Sequence, residues 1–353
     1  MNRKIGVLVV DDSSFIRNIF TAILSADADI QVLGTAGDPL IARDMMKRLK
    51  PDVVTLDIEM PNMDGLMFLE KIMTLRPTPV VMVSSLTQHN AEATLRALEI
   101  GAVDCIGKPT ESSDIKSIEV ELIAKVKAAA KAKLRTKPIP KQKVCPIPTG
   151  GTSSGLIAIG ASTGGVEALR AIVPFFPPNS PPIVITQHMP PGFTSQLARR
   201  LSSVSSIDVQ EAAHGMKVSS GNAYIAPGGS HLEVEGRAGA YTCRVHQGKK
   251  ISGHRPSVDV MFASVARTVG KAAVGVILTG MGKDGAAGML SMKQAGSYTI
   301  AQDEDSSVVY GMPKAAYLAG AVDVQLGLEF ITEAVCSHFS TVRQASHRRG
   351  NEI

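Results

Sequence analysis

Residues 5–12 read IGVLVVDD, and the fold is read from this short stretch. Six apolar residues, rich in β-branched side chains, are too few for a helix and suit a strand buried on both faces. Two aspartates then stand at its carboxyl end. Working outward, the unit recurs. IQVLGTA (30–36), DVVTLD (52–57), PVVMVSS (79–85) and AVDCI (102–106) read as further strands. Helix-spaced stretches at 13–25, 38–49, 65–75 and 90–100 separate them, and a long helix starts at Ser113. Strands alternating with helices predict βαβ units and a five-stranded parallel sheet.

The pattern restarts at LIAIG (156–160) and continues through PPIVITQH (181–188), VILTGMG (276–282) and YTIAQ (298–302). This predicts a second, doubly wound, mostly parallel α/β domain. The stretch 222–246, NAYIAPGGSHLEVEGRAGAYTCRVH, alternates like hairpin strands and predicts a small antiparallel element within it. Between the two blocks, TKPIPKQKVCPIPTGGTSSG (136–155) is a Pro-containing linker. The expected division is a first domain over 1–125, a basic linker over 126–154, a second domain over 155–345 and a flexible tail over 346–353.

With 353 residues the chain has room for about two domains at ~150 residues each. Hydrophobic residues at 44% and charged residues at 20% exclude a disordered, collagen-like or disulfide-scaffold chain. No apolar run approaches the ~18 residues of a membrane span, and the N-terminal apolar run is too short for a signal peptide. A cytoplasmic protein without direct membrane insertion is expected. Cys105, Cys145, Cys243 and Cys336 show neither CxxC nor zinc spacing, which fits a reducing compartment. The net charge of +5 comes from one acid-free segment, Lys125 to Lys143; elsewhere acids outnumber bases. Aromatics are 4% and Trp is absent, so no nucleic-acid partner is expected. A solvated helix and linker explain the basic segment better than contact with an acidic partner surface.

In an open parallel sheet, ligands bind outside the carboxyl ends of the strands. In the first domain those ends carry Asp11 and Asp12, Asp57, Ser84 and Ser85, and Lys108. Clustered carboxylates repel unless a cation sits among them, and Mg²⁺ suits an oxygen site with few carboxylates. A carboxylate can itself attack phosphorus, with Mg²⁺, the lysine and a hydroxyl binding the phosphoryl oxygens. This reads as a phospho-aspartate site with Asp57 as acceptor. The motifs VVDDSSFIR, LDIEMPNMDGLMFL, VVMVSSLT and GAVDCIGKP resemble the response-regulator receiver domain. The resemblance implies phosphorylation of Asp57. It implies Mg²⁺ held by Asp11, Asp12, Asp57 and the backbone carbonyl of Glu59, and Ser84 and Lys108 as the switching pair. Cys105 stands where that family often has an aromatic switch residue. Lys108–Pro109 is a candidate cis peptide.

In the second domain, GASTG (160–164) fits G-x-S-x-G between a strand and a helix, the context of a nucleophile elbow. Ser162 needs a base. His188 ends the next strand, and Asp284 follows VILTGMG. The three can meet at one rim as nucleophile, base and orienter of the imidazole. Glycines around Met281 make its N–H a candidate oxyanion donor. His231 and His254 are rival bases, ranked as substrate-side or structural. The dinucleotide-binding alternative for GASTGG wants an acid at the end of the next strand, where Gln187 and His188 stand.

IAIGASTGG, ITQHMPPGFT, YIAPGGSHL, HRPSVDVMF, VILTGMGKDGAAGM and AQDEDSSVVYGMP resemble the catalytic domain of chemotaxis protein-glutamate methylesterases. That resemblance implies a Ser162–His188–Asp284 triad and no cofactor for the esterase step. It implies hydrolysis of glutamate γ-methyl esters, and deamidation of glutamines, on the cytoplasmic domains of methyl-accepting chemoreceptors, with a chemotaxis histidine kinase as phosphodonor. It also implies that phosphorylation relieves inhibition by the receiver. A monomer is expected. Three rival readings are a receiver-linked transcription factor, a receiver-controlled nucleotide-binding module and a noncatalytic adaptor. The first would need only a helix-turn-helix module, not ~200 residues of α/β pattern with glycine loops; the second lacks the ribose acid, and the intact triad motifs speak against the third.

Overall fold

The IGVLVV run forms an interior strand of the first sheet in the computed structural model, which describes residues 3–60, 64–85, 88–109, 115–134 and 155–350. The chain divides into two units, Met1–Thr136 and Lys137–Ile353.

In the first unit, β1 (Ile5–Val10), α1 (Ser14–Ala26), β2 (Ile30–Ala36), α2 (Pro39–Leu49) and β3 (Val53–Asp57) are followed by α3 (Gly65–Leu75), β4 (Val80–Ser84), α4 (Gln88–Ile100), β5 (Asp104–Gly107) and α5 (Ile115–Ala130). The sheet order is β2-β1-β3-β4-β5 and every pairing is parallel. The chain leaves β1 to one side and returns to its other side, so a switch point lies between β1 and β3. Val10 is registered against Leu56, which brings Asp11 and Asp57 out next to each other. Val7 to Val10, Leu56 and Val80 to Val83 are buried, as a sheet covered on both faces requires. Ser13, Asp38 and Asp64 cap α1, α2 and α3 by accepting from first-turn N–H groups.

Two expectations change here. α5 runs to Ala130, past the expected boundary at 125, because Val126, Ala128 and Ala129 are buried against the unit. The acid-free segment begins inside this helix: Lys125 pairs with Asp104 and Glu121, and Lys127 with Asp27 and Asp29. The rest of the expected linker, 135–154, lies outside the described residues. Lys108–Pro109 is trans, the ordinary preference of an X–Pro bond; among the described residues the cis peptide is Arg255–Pro256.

The second unit holds β6 (Leu156–Ala161), α6 (Gly165–Ile172), β7 (Ile183–Gln187), α7 (Phe193–Val204), β8 (Asp208–Glu211), β9 (Lys217–Val218), β10 (Asn222–Ile225), β11 (His231–Arg237) and β12 (Ala240–His246). Then come α8 (Val258–Thr268), β13 (Ala273–Ile277), α9 (Ala286–Gln294), β14 (Tyr298–Gln302), α10 (Met312–Leu318), β15 (Val324–Leu326) and α11 (Leu328–Gly350). Seven strands form a parallel sheet in the order β15-β14-β13-β6-β7-β10-β8. β6 lies between β7 and β13, so the loops after these three strands share one rim.

The antiparallel element is β11-β12-β9. The start of that stretch, NAYI, joins the main sheet as β10, parallel to β7 and β8. Tyr224 and Ile225 are buried there, and a one-faced hairpin strand offers no such double cover. α11 continues through Gly350, where a tail was expected from 346. Residues 328–349 contain no proline or glycine to stop it. No helix among the described residues is long and apolar enough to cross a membrane.

Candidate active site

Ser162 directly follows β6, His188 directly follows β7, and Asp284 lies in the loop between β13 and α9. The structure brings them together. His188 Nδ1 is 3.0 Å from Ser162 Oγ, and His188 Nε2 is 2.8 Å from Asp284 Oδ2. An ionised carboxylate only accepts, so Nε2 carries the ring proton and Nδ1 turns its lone pair toward the serine. The ring is thus turned the opposite way from the serine-protease arrangement, in which Nε2 faces the serine.

Asp284 is buried and held at the N-terminus of α8. Oδ1 accepts from Ser257 Oγ at 2.8 Å and from Asp259 N at 3.1 Å, and Oδ2 accepts from Val258 N at 2.7 Å. Burial works against its charge, but the hydrogen bond and charge of His188, with the helix donors, outweigh it and hold the carboxyl down to about 2. Asp259 moves the other way, raised by burial and by the charge of Asp284.

A family model described as CheB methylesterase matches residues 157–335, and one described as response regulator receiver domain matches residues 7–118. The chain belongs to the CheB methylesterase family. It is 55% identical over 339 residues to a Caulobacter vibrioides protein named protein-glutamate methylesterase/protein-glutamine glutaminase 1, covering 94% of this chain and 97% of that one. A Pectobacterium atrosepticum relative named protein-glutamate methylesterase/protein-glutamine glutaminase is 52% identical, with 96% and 97% covered. The solved catalytic domain of the Thermotoga maritima CheB methylesterase is 42% identical and covers 52% of this chain and 97% of its own, with a TM-score of 0.51.

Within this family member, the serine loop differs from a nucleophile elbow. Gly164, not Ser162, takes the left-handed conformation, at φ 76°, and a Cβ there would meet Val308 at 2.6 Å. Buried Gln187 donates through Nε2 to Ser162 O and His188 O, tying the nucleophile strand to the base strand. Thr279 accepts from Ser162 N at its carbonyl, and its hydroxyl donates to Thr163 O and accepts from Val309 N. Gly280 N donates to Val309 O, while Gly280 O accepts from Gly311 N and Met312 N. These bonds immobilise the loop that carries Met281, whose N–H has no acceptor among the described residues. Gly280, the residue before it, packs on the serine: a Cβ there would meet Ser162 Cβ at 2.7 Å.

The rival histidines take other places. His254 stacks face to face on His188, with ring centroids 3.8 Å apart and planes 7° from parallel. His231 is buried, accepts from Ser257 N at Nδ1 and donates from Nε2 to Lys249 O. Burial lowers its pKa. Ser257 is a supporting residue that the sequence reading did not single out. Its signal was a serine just ahead of the apolar helix start VDVMF, an N-cap pattern.

In the first unit, Asp11, Asp12 and Asp57 offer carboxylate oxygens within 4.8 Å of one another. Lys108 Nζ lies 2.7 Å from Asp57 Oδ2 and 3.1 Å from Asp11 Oδ2. Burial raises both carboxyls, Asp57 to about 6 with the Asp11 charge adding to it. Lys108 is raised as well, because Asp57 and Asp11 outweigh its own burial. Asp11 Oδ2 is buried, and its close partner is the Lys108 ammonium at 3.1 Å. Three carboxylates clustered around a single ammonium form an oxygen-rich site that fits a hard divalent cation.

Not every expected member of this site meets the cluster. Glu59 is exposed and reaches it through its N–H, 3.3 Å from Asp57 Oδ1. Ser84 Oγ donates to Ser85 O rather than turning to Asp57, while Lys108 N donates to Ser84 O. Arg17, not singled out from the sequence, donates to the carbonyls of Asp11 and Asp12 and steadies that loop. Cys105 is buried, its thiol pushed up to about 12 by burial.

Proposed function

We propose that the chain is a phosphorylation-controlled hydrolase that demethylates glutamate γ-methyl esters and deamidates glutamines on methyl-accepting chemoreceptors. It acts as a cytoplasmic monomer that receives its phosphoryl group from a chemotaxis histidine kinase. The observation that carries the reading is the relay from Ser162 through His188 to Asp284, at 3.0 and 2.8 Å.

Ser162 Oγ attacks the γ-carbonyl carbon as His188 Nδ1 takes its proton. The oxyanion is held by Met281 N–H. The C–O bond to the methoxy group breaks, and methanol leaves with the proton from Nδ1. For glutamine the C–N bond breaks and ammonia leaves. Water, deprotonated by Nδ1, then attacks the glutamyl-serine ester, and glutamate departs as the proton returns to Ser162. Asp284 stays ionised throughout and stabilises the imidazolium.

In the receiver, Asp57 is the phosphoryl acceptor. Asp11, Asp12 and Asp57, with the carbonyl of Glu59, would hold Mg²⁺, which supplies neutralisation of phosphoryl charge. Lys108 pairs with the phosphoryl group, and Ser84 turns from Ser85 to bind it. Phosphorylation alters the charge at a two-state element and relieves inhibition of the esterase. The fragment from about residue 150 onward is therefore expected to be faster than the unphosphorylated whole chain; equal rates would contradict this.

The decisive measurement is methanol release from a methylated chemoreceptor fragment, with and without Mg²⁺ and acetyl phosphate. Release should rise with the phosphodonor, remain at the unstimulated level in Asp57→Ala and vanish in Ser162→Ala. No release despite verified phosphorylation of Asp57 overturns the reading.

A further inference from the structure

Residues 247–255, QGKKISGHR, contain Lys249, Lys250 and Arg255 and no acid. Their backbone is firmly held. Ile251 and His254 exchange two hydrogen bonds, at 3.1 and 2.9 Å, across a tight turn with Ser252 at φ 51° and Gly253 at φ 84°. Arg255 Nη1 donates to Gly248 O at 3.0 Å, and His231 Nε2 to Lys249 O at 2.9 Å. The turn lays His254 flat on His188, so the loop forms a wall of the catalytic site. Its remaining side chains face solvent: Lys249 and Lys250 are exposed, and Ile251 is 41% exposed at the tip. Lys283, also exposed, directly precedes Asp284. Among the described residues none of these three lysines has a carboxylate partner. The other side of the site differs in sign. The segment that packs on Gly280 and Gly164 carries Asp303, Glu304 and Asp305.

We infer that this loop, with Lys283, docks an acidic protein segment and recognises carboxylates flanking the target glutamate rather than the ester itself. The inference rests on the methylesterase reading. The reacting group is neutral, as ester or amide, so cations beside the site gain nothing from it directly. Each turnover, however, leaves a carboxylate on the substrate. On a helix, residues four and seven away stand about 6 and 10 Å along the axis. That matches the reach of lysines on a wall of the site and lies near the ~8 Å screening length at physiological salt. Ile251 supplies an apolar contact between the charges. A substrate segment thus binds more tightly as its neighbouring glutamates are uncovered, and the acidic side of the site orients it.

The test uses the full chain treated with Mg²⁺ and acetyl phosphate, and two synthetic helical peptides. Each carries one γ-methyl glutamate, flanked at four and seven residues by glutamates in one peptide and by alanines in the other. The wild type should show a KM about five-fold lower for the glutamate-flanked peptide at low salt, an effect that shrinks at high salt, as a few exposed ion pairs allow. Lys249→Glu/Lys250→Glu should abolish or reverse that preference. Lys271→Glu, just before β13 at the amino ends of the strands and away from the catalytic rim, should retain it. Equal KM values for the two peptides in the wild type, or an undiminished preference in the double variant, overturns the inference. p-Nitrophenyl acetate separates the two readings: its hydrolysis should be lost in Ser162→Ala whatever the outcome with the flanked peptides. Failure of that control strikes the esterase reading instead.

Discussion

Asp57 and Asp284 occupy equivalent places in two unrelated halves of the chain. Each stands at the carboxyl rim of a parallel sheet beside a switch point, and each is buried. Yet Asp57 is pushed up to about 6 and Asp284 is held down to about 2. Burial acts on both in the same direction, so the difference lies in the donors. Asp284 receives a serine hydroxyl, two helix N-terminal N–H groups and an imidazole. Asp57 receives one lysine and one long N–H contact, and faces the second carboxylate of Asp11. An over-coordinated carboxylate is a fixed charge for orienting a base. An under-coordinated one is costly as an anion, which favours a group that takes up a cation and a phosphoryl group.

The strongest way to break the contrast is Asp284→Asn. The amide can present N–H to His188, favouring the wrong tautomer, and kcat should fall on the order of 10³–10⁴-fold, the scale seen for serine-protease triads. Methanol-release kinetics, with circular dichroism to verify folding, checks this. A loss under ten-fold would mean that the carboxylate does not orient the base.

A smaller effect is expected on the other side. Mg²⁺ should stabilise the receiver by about 2.7 kcal/mol at one hundred times its dissociation constant, and EDTA should reverse it. Calorimetry of the full chain should show that shift in one transition only, and Asp11→Asn should remove it. A shift of both transitions would argue against a site confined to the receiver.

Ser257→Ala sharpens the comparison most finely, by removing one donor from Asp284. Loss of one charge-assisted hydrogen bond, about 1.5–3 kcal/mol, should lower kcat/KM roughly ten-fold or more. The sign of its pH effect follows from linkage. A depressed carboxyl contributes stability that is present above its unfolded value near pH 4 and is lost as pH falls toward 2. In Ser257→Ala the folded value rises, so the contribution is smaller at neutral pH and disappears at a higher pH. Acid unfolding at matched ionic strength checks it, and an unchanged profile would leave Ser257 as a helix cap alone.

Ser162, His188 and Asp284 were legible because alternation of strands and helices puts every strand end of a parallel sheet on one rim. Asp11, Asp57 and Lys108 were legible for the same reason. Ser257 was not, because it acts on Asp284 from 27 positions away and only the packing of α8 against the α9 loop brings the two together. The placing of NAYI in the main sheet was not legible for a related reason: alternation along a strand says which faces are apolar but not which neighbour it pairs with. The tail misled because a polar composition does not prevent a helix that lacks a breaker.

Local pattern therefore determined the order of elements, the two sheets and the side chains carried at their rims, since these depend on short-range periodicity and on chain order. The tertiary structure alone decided which imidazole nitrogen faces the serine, why Ser84 turns away from Asp57, and why one buried aspartate is anchored as an anion while the other is raised. Those outcomes depend on distances of about 3 Å between groups far apart in sequence, where one hydrogen bond more or less reverses the balance between desolvation and charge.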